Sequence, residues 1–143
     1  MTSFVIDASL AVKWLPLFAD EPLVAPAKRF LERSAIGEID MLVPELFWPE
    51  VGSVLCKAVR KQACKPEEAK QALSVLAEQP LATFSSMPLV NASLDIALRY
   101  GRSIYDSLYV ALAVASHSEL VTADEKLANA LGGYLPVKWL GSF

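Results

Sequence analysis

Twice in this chain a short apolar run ends at an aspartate and gives way to a helix-forming stretch. Phe4-Val5-Ile6 leads into Asp7-Ala8-Ser9, and Leu120-Val121-Thr122 leads through Ala123 into Asp124-Glu125-Lys126. Consecutive apolar residues mark a strand buried on both faces, and an aspartate before helix formers marks a helix start. Strands that alternate with helices cannot close as simple hairpins. They demand parallel pairing through right-handed crossovers, with helices on both faces of the sheet. In that architecture functional groups collect at the carboxyl ends of the strands, where Asp7 and Asp124 fall.

The same alternation runs through the rest of the chain. Helices are expected over Ala8–Leu15 and Leu23–Ile36, the latter with Lys28, Arg29, Glu32 and Arg33 opposite Phe30 and Leu31. Asp40–Val43 reads as a strand closed by Pro44. The next helix carries Val51, Val54, Leu55 and Ala58 on one stripe. Because proline lacks an N–H, this helix must begin near Leu46 or kink at Pro49. Pro66-Glu67-Glu68 opens a helix to Glu78, proline first and acids at the positive end. Ala82–Ser85 is a short strand. Pro88–Tyr100 is helical, with Asp95 and Arg99 paired on a wet face and Gly101 as its stop. Ile104–Ser116 is apolar nearly all round and reads as a buried helix. Glu119–Thr122 is a strand, Asp124–Leu131 a helix, Gly132-Gly133 a turn, and Tyr134–Trp139 a last strand, making about five strands in all.

Residues 1–143 show no compositional break and read as a single domain. The most apolar stretch, Leu108 to Ala115, is far shorter than the roughly 20 residues a membrane span needs. Phe4-Val5-Ile6 is too short for a signal peptide and is interrupted by Asp7. The expectation is a cytoplasmic protein in which Cys56 and Cys64 are reduced thiols. A hydrophobic fraction of 54% implies that some apolar surface is covered by a partner. With a net charge of −3, a nucleic-acid ligand would need local positive charge or bound cations.

Four acids carry the chemistry. Each has a structural use: Asp7 and Asp124 can cap helices, Asp106 stands three after Ser103 at capping-box spacing, and Glu50 lies in a first turn that favours acids. Taken together they ask for more. Asp106 is the only charge between Ser103 and His117, and a charge in a buried helix is costly unless compensated. Parallel strands would bring Asp7, Asp106 and Asp124 to one edge of the sheet. Carboxylates about 5 Å apart repel by roughly 3 kcal/mol per pair at an effective dielectric of about 20. A hard divalent cation with oxygen ligands relieves that repulsion. Such an ion acidifies water, positions it for attack on phosphorus and stabilises the leaving oxygen. No histidine is required, and His117, the only one, reads as a surface residue at a helix end.

The four motifs resemble those of PIN domains, especially toxins of the VapC family. Phe4-Val5-Ile6-Asp7-Ala8-Ser9 is similar to the family's opening, and Pro44-Glu45-Leu46 with Glu50-Val51 to its second motif. Tyr105 to Ala113 is similar to the third, and Leu120-Val121-Thr122-Ala123-Asp124-Glu125-Lys126-Leu127 to the fourth. The resemblance runs from about Phe4 to Leu131. It implies a three-layer α/β/α sandwich on a mostly parallel sheet, Mg²⁺ or Mn²⁺ dependence and hydrolysis of RNA phosphodiester bonds. It also implies homodimers and inhibition by a small antitoxin. Asp7, Glu50, Asp106 and Asp124 match the acidic metal ligands, and Ser9 and Thr122 match hydroxyls near metal and scissile phosphate. Ser53 departs from the pattern, since many relatives carry asparagine three after the glutamate.

Lys57, Arg60, Lys61 and Lys65 cluster at the end of the Glu50 helix, with Lys13 one helix past Asp7. They are either a solvated helix end or, for Lys13, Lys57, Arg60 and Lys61, a track for RNA phosphates. Other α/β functions lack their residues. No glycine-rich phosphate loop follows the first strand. The stretch Ala82-Thr83-Phe84-Ser85-Ser86-Met87 has no acid for a phosphoacceptor site, and Ser9 stands where a haloacid-dehalogenase-type phosphatase needs aspartate. A nuclease of the same fold acting on DNA and a non-catalytic PIN-like binding module stay open.

Overall fold

The computed structural model describes residues 2–143. Five strands pair in the order β3-β2-β1-β4-β5, every pairing parallel. In chain order the elements are β1 (Thr2–Ile6), α1 (Ala8–Ala11), α2 (Val24–Ala35), β2 (Ile39–Pro44), α3 (Phe47–Arg60) and α4 (Pro66–Ala77). They continue with β3 (Leu81–Phe84), α5 (Val90–Tyr100), α6 (Ile104–Ala115), β4 (Glu119–Thr122), α7 (Glu125–Leu131) and β5 (Val137–Trp139). This is the expected α/β/α sandwich, a parallel sheet flanked by seven helices.

Burial follows the sequence pattern. Phe4, Val5 and Ile6 are all buried, as are Leu120, Val121 and Thr122. Consecutive burial means both faces of each strand are covered. β3, by contrast, is a sheet edge with Ala82, Thr83 and Phe84 exposed. Its pairing is backed by the Trp48 indole N–H, which donates to Thr83 Oγ1 at 3.0 Å. Helix α6 lies across the sheet, touching β1, β2 and β4, and its residues from Ser107 to Ala113 are buried.

Element boundaries depart from expectation where local chemistry decides them. The first helix ends at Ala11 and tightens into a 3-10 turn over Val12–Trp14, because Pro16 prevents continuation. Pro49 causes no break, since α3 begins at Phe47 and places it in the first turn. The last strand is only Val137–Trp139, shorter than Tyr134–Trp139. Pro136 has no N–H to give a ladder and contributes only its carbonyl, to Leu120. Asp95 and Arg99 form no ion pair among the described residues; the Arg99 guanidinium instead sits 5.6 Å from the Tyr100 ring centroid. Gly101 ends α5 in a left-handed conformation, φ 66°, as a glycine cap should. His117 is exposed at φ 53°, just past the end of α6. Cys56 and Cys64 are free thiols.

The strand order fixes where a ligand can bind. The chain builds outward from β1 to β2 and β3, then crosses back to place β4 on the other side of β1. The connections after β1 and β4 therefore leave the sheet in diverging directions. A crevice opens at their carboxyl ends.

Candidate active site

That crevice is a cavity of about 330 Å³ lined by Asp7, Ser9, Glu50, Ser53, Lys57, Asp106, Tyr109 and Asp124, among others. All four sequence-predicted acids reach it, each from the start of a different helix. Asp7 caps α1, its Oδ1 accepting from the Leu10 N–H at 3.1 Å. Asp124 caps α7 in the same way, Oδ1 accepting from the Leu127 N–H at 3.2 Å. Glu50 and Asp106 occupy the first turns of α3 and α6. The Ser103 hydroxyl caps α6 by accepting from the Asp106 N–H.

Two hydroxyls fasten the ends of β1 and β4 together. Ser9 Oγ donates to Asp7 Oδ1 at 2.6 Å and accepts from the Ala123 N–H at 3.1 Å. Thr122 Oγ1 accepts from the Asp124 N–H at 3.0 Å, and its hydroxyl helps to lower the proton affinity of Asp7. Thr122 is fully buried. These side chains hold Asp7 and Asp124 in register with one another across the switch point.

The acids share a cleft without condensing into a cage. Among the described residues no three carboxylates approach closely enough to form a ready cation-binding group, whereas spacing near 5 Å was expected. Three of them have side-chain partners of their own. Asp7 is held by Ser9, Glu50 by the Tyr109 hydroxyl, and Asp106 by the Arg102 guanidinium, whose Nη2 lies 4.0 Å from Oδ2.

The electrostatic strain shows in the proton affinities. Burial raises Asp7 from its ordinary value of 3.8 to about 6, against the lowering effect of bonds from Ser9, Thr122 and the Leu10 N–H, and the Glu50 charge adds to the rise. Glu50 is raised by burial, which outweighs the Tyr109 hydrogen bond, and further by the Asp106 charge. Asp106 is raised by burial despite Arg102, with the Asp124 charge contributing. Tyr109 is raised by burial and by its bond to Glu50, so its phenol stays protonated and donating. The negative charges feel one another in a chain from Asp7 through Glu50 and Asp106 to Asp124.

The donor set is all oxygen: four carboxylates with Ser9 and Thr122 behind them. It matches a hard divalent cation and offers nothing to a soft metal. Among the described cations, only Lys57 lines the cavity; Arg60 and Lys61 are exposed beyond it on α3. Lys13 is buried, its Nζ bonded to Glu21 Oε1 at 3.1 Å, so its charge is committed within the fold. Ser53 lies in the cavity wall one turn from Glu50. Sequence reasoning missed Tyr109 and Arg102. Tyr109 stands three after Asp106, on the same helix face, and that spacing was the available signal. Arg102 stands four before Asp106, outside the helix pattern.

The sequence pattern of the PIN domain matches residues 4–131, nearly the whole chain. This protein therefore belongs to the PIN-domain family. It is 33% identical over 134 residues to a protein named ribonuclease VapC1 from Mycobacterium tuberculosis, covering 92% of this chain and 93% of that one. Its fold is similar to that of a crystal structure from Pyrobaculum aerophilum, with a TM-score of 0.71 at 22% identity, over 99% of this chain and 85% of that chain. It is also similar to a chain of VapBC2 from Rickettsia felis, solved bound to a DNA fragment from its promoter. That TM-score is 0.68 at 14% identity, over 96% of this chain and 98% of that chain.

Proposed function

We propose that this chain is a divalent-metal-dependent endoribonuclease, cytoplasmic, and the toxin of a type II toxin–antitoxin pair. The observation that carries the reading is the convergence of Asp7, Glu50, Asp106 and Asp124 on one cavity at the switch point of the sheet. The similarity to a ribonuclease VapC over nearly the full length of both chains supports RNA as the substrate.

In this reading the four carboxylates hold Mg²⁺ or Mn²⁺, directly or through water. When bound, the ion supplies positive charge at the scissile phosphate and acidifies the attacking water. The chain's own residues do the positioning. Ser9 fixes Asp7, the Tyr109 hydroxyl orients Glu50, and the Arg102 guanidinium lies beside Asp106. Lys57, on the wall of the cleft, meets the approaching RNA backbone, with Arg60 and Lys61 further along the same helix.

Partners follow from the surface and the relatives. Met87, Val90, Leu94 and Leu98 are exposed along α5 and the turn before it, Met87 and Leu98 at 80% and 77%. The last three recur at intervals of four and form an apolar stripe that fits a second copy in a homodimer. The likeness to a VapBC structure supports a small antitoxin as the inhibitor.

One assay tests the activity: cleavage of RNA, single-stranded DNA and duplex DNA with Mg²⁺, Mn²⁺ or chelator, by the parent, Asp7→Asn and Asp106→Asn. The expected result is metal-dependent cleavage of RNA that drops by orders of magnitude in either variant. Preferential cleavage of DNA would move the substrate. No cleavage under any condition would leave a binding module.

A further inference from the structure

Three of the chain's four tyrosines lie at or near the corner where α5 turns into α6, Tyr100 partly buried against the core and Tyr105 and Tyr134 exposed. Tyr100 ends α5, Tyr105 lies in the first turn of α6, and Tyr134 follows α7. The Tyr100 and Tyr134 rings are 6.0 Å apart with a tilt of 36°, and the Arg99 guanidinium lies 5.6 Å from the Tyr100 centroid. Arg99 and Tyr134 thus both lie against Tyr100, and Tyr134 is 77% exposed. Tyr105, next to Asp106 in the chain, is 58% exposed.

Arg102 joins this corner to the cleft. Its contact with Asp106 at 4.0 Å is about 1 Å longer than a charge-assisted hydrogen bond. Its Nε is buried and has no partner. A guanidinium carries five donors, so most of its hydrogen-bonding capacity is unspent beside the acidic site.

We propose that this corner is a nucleotide subsite, resting on the ribonuclease reading. An unpaired base flanking the cleavage point stacks on Tyr134, and Arg102 takes the neighbouring phosphate. Single-stranded RNA is recognised by stacking splayed bases on aromatic rings and guanidinium planes, and this corner supplies both. The apolar stripe on α5 has the opposite character, aliphatic and uncharged, and suits protein instead. The subsite also explains how a chain of net charge −3 draws a polyanion to an acidic cleft: the cations are placed at its rim.

The test measures binding without turnover. Fluorescence anisotropy of a labelled single-stranded oligoribonucleotide is read in chelator, in an Asp7→Asn background. Tyr134→Ala should raise Kd about tenfold and Tyr134→Phe should leave it unchanged, as stacking on the ring requires. An RNA with abasic positions should erase the difference between tyrosine and alanine. Arg102→Gln should lower the slope of log K against log salt by about one, and Arg102→Lys should restore it. The proposal is overturned if Tyr134→Ala and Arg102→Gln, both melting like the parent, bind within twofold of it. A change of oligomeric state in Tyr134→Ala with unchanged RNA affinity would likewise overturn it, assigning the face to a protein contact. Because no cleavage is measured, an inactive parent enzyme would refute the ribonuclease reading and leave this result standing.

Discussion

Replacing Asp7 by asparagine should stabilise the protein in the absence of metal. Asp7 ionises in the fold at about 6 instead of 3.8, and each pH unit corresponds to about 1.4 kcal/mol. Its charged form therefore costs the folded state about 3 kcal/mol relative to the unfolded chain. The sign follows from proton binding. The native state holds the Asp7 proton more tightly than the unfolded state does. Stability is thus fully present below pH 3.8, falls between there and about 6, and stays low above. Asparagine removes the charge and keeps an acceptor for the Leu10 N–H. It accepts fewer bonds from Ser9 and Thr122, at about 1 kcal/mol each. The net gain at pH 7 is about 1–2 kcal/mol, or roughly 3–7 °C in melting temperature for a chain of this size.

The assay is thermal unfolding in chelator from pH 4 to 8, for the parent and Asp7→Asn. The curves should cross, with the variant more stable at pH 7 and slightly less stable at pH 4, where the parent keeps its donors satisfied. Glu50 and Asp106 are raised in the same direction, so some slope should survive in the variant. Millimolar Mg²⁺ or Mn²⁺ should stabilise the parent, by about 2.7 kcal/mol at a hundredfold excess over Kd, and so raise its melting temperature, the variant's much less. A variant that is less stable than the parent at pH 7 in chelator would refute the reasoning. It would mean that Asp7 is only a helix cap, worth about 1 kcal/mol.

Tyr109→Phe should lower stability by about 1–2 kcal/mol, because it strips the carboxylate of Glu50 of its donor. It should also move the acid limb of the pH–rate profile to higher pH, since the tyrosine bond is what holds the Glu50 affinity down; an unmoved limb would remove Tyr109 from the site. Reversing charge at Arg60 and Lys61 together should weaken RNA binding across sequences and flatten its salt dependence. An unchanged salt slope would return these residues to a solvated helix end.

What the residues disclosed beforehand was decided by whether their pattern was local. β1 and β4 were legible because a short apolar run just ahead of an aspartate leaves little choice. Asp106 was legible as the sole charge in an apolar helix. Tyr109 was not, because a phenol in such a helix counts as core until its hydroxyl is seen against Glu50. The setting of Lys13 was hidden for the converse reason. A lysine near the site looks like a phosphate contact, yet its stem is buried and its ammonium reaches out only as far as Glu21. Arg102 lies in the turn before α6, outside any periodic pattern, and its nearness to Asp106, four residues on, shows only once the side chains are placed. The closing strand failed at Tyr134 and Leu135 because pairing with β4 starts at Val137, a register that depends on partners distant in sequence.

The structural and the chemical uses of the four acids turn out not to compete. Asp7 and Asp124 do cap helices, and Glu50 and Asp106 do sit in first turns; four helix starts converge on one cavity for that reason. Each start presents positive dipole ends to its carboxylate, worth about 0.3–1 kcal/mol. That is well below the burial cost of about 3 kcal/mol worked out for Asp7, so the dipoles offset the charge only in part. The remainder is unrelieved negative potential in a cleft lined with oxygen. A cap could have been serine or asparagine at no such cost. Four acids at four helix starts, facing one cavity, are what the proposed divalent cation would draw on.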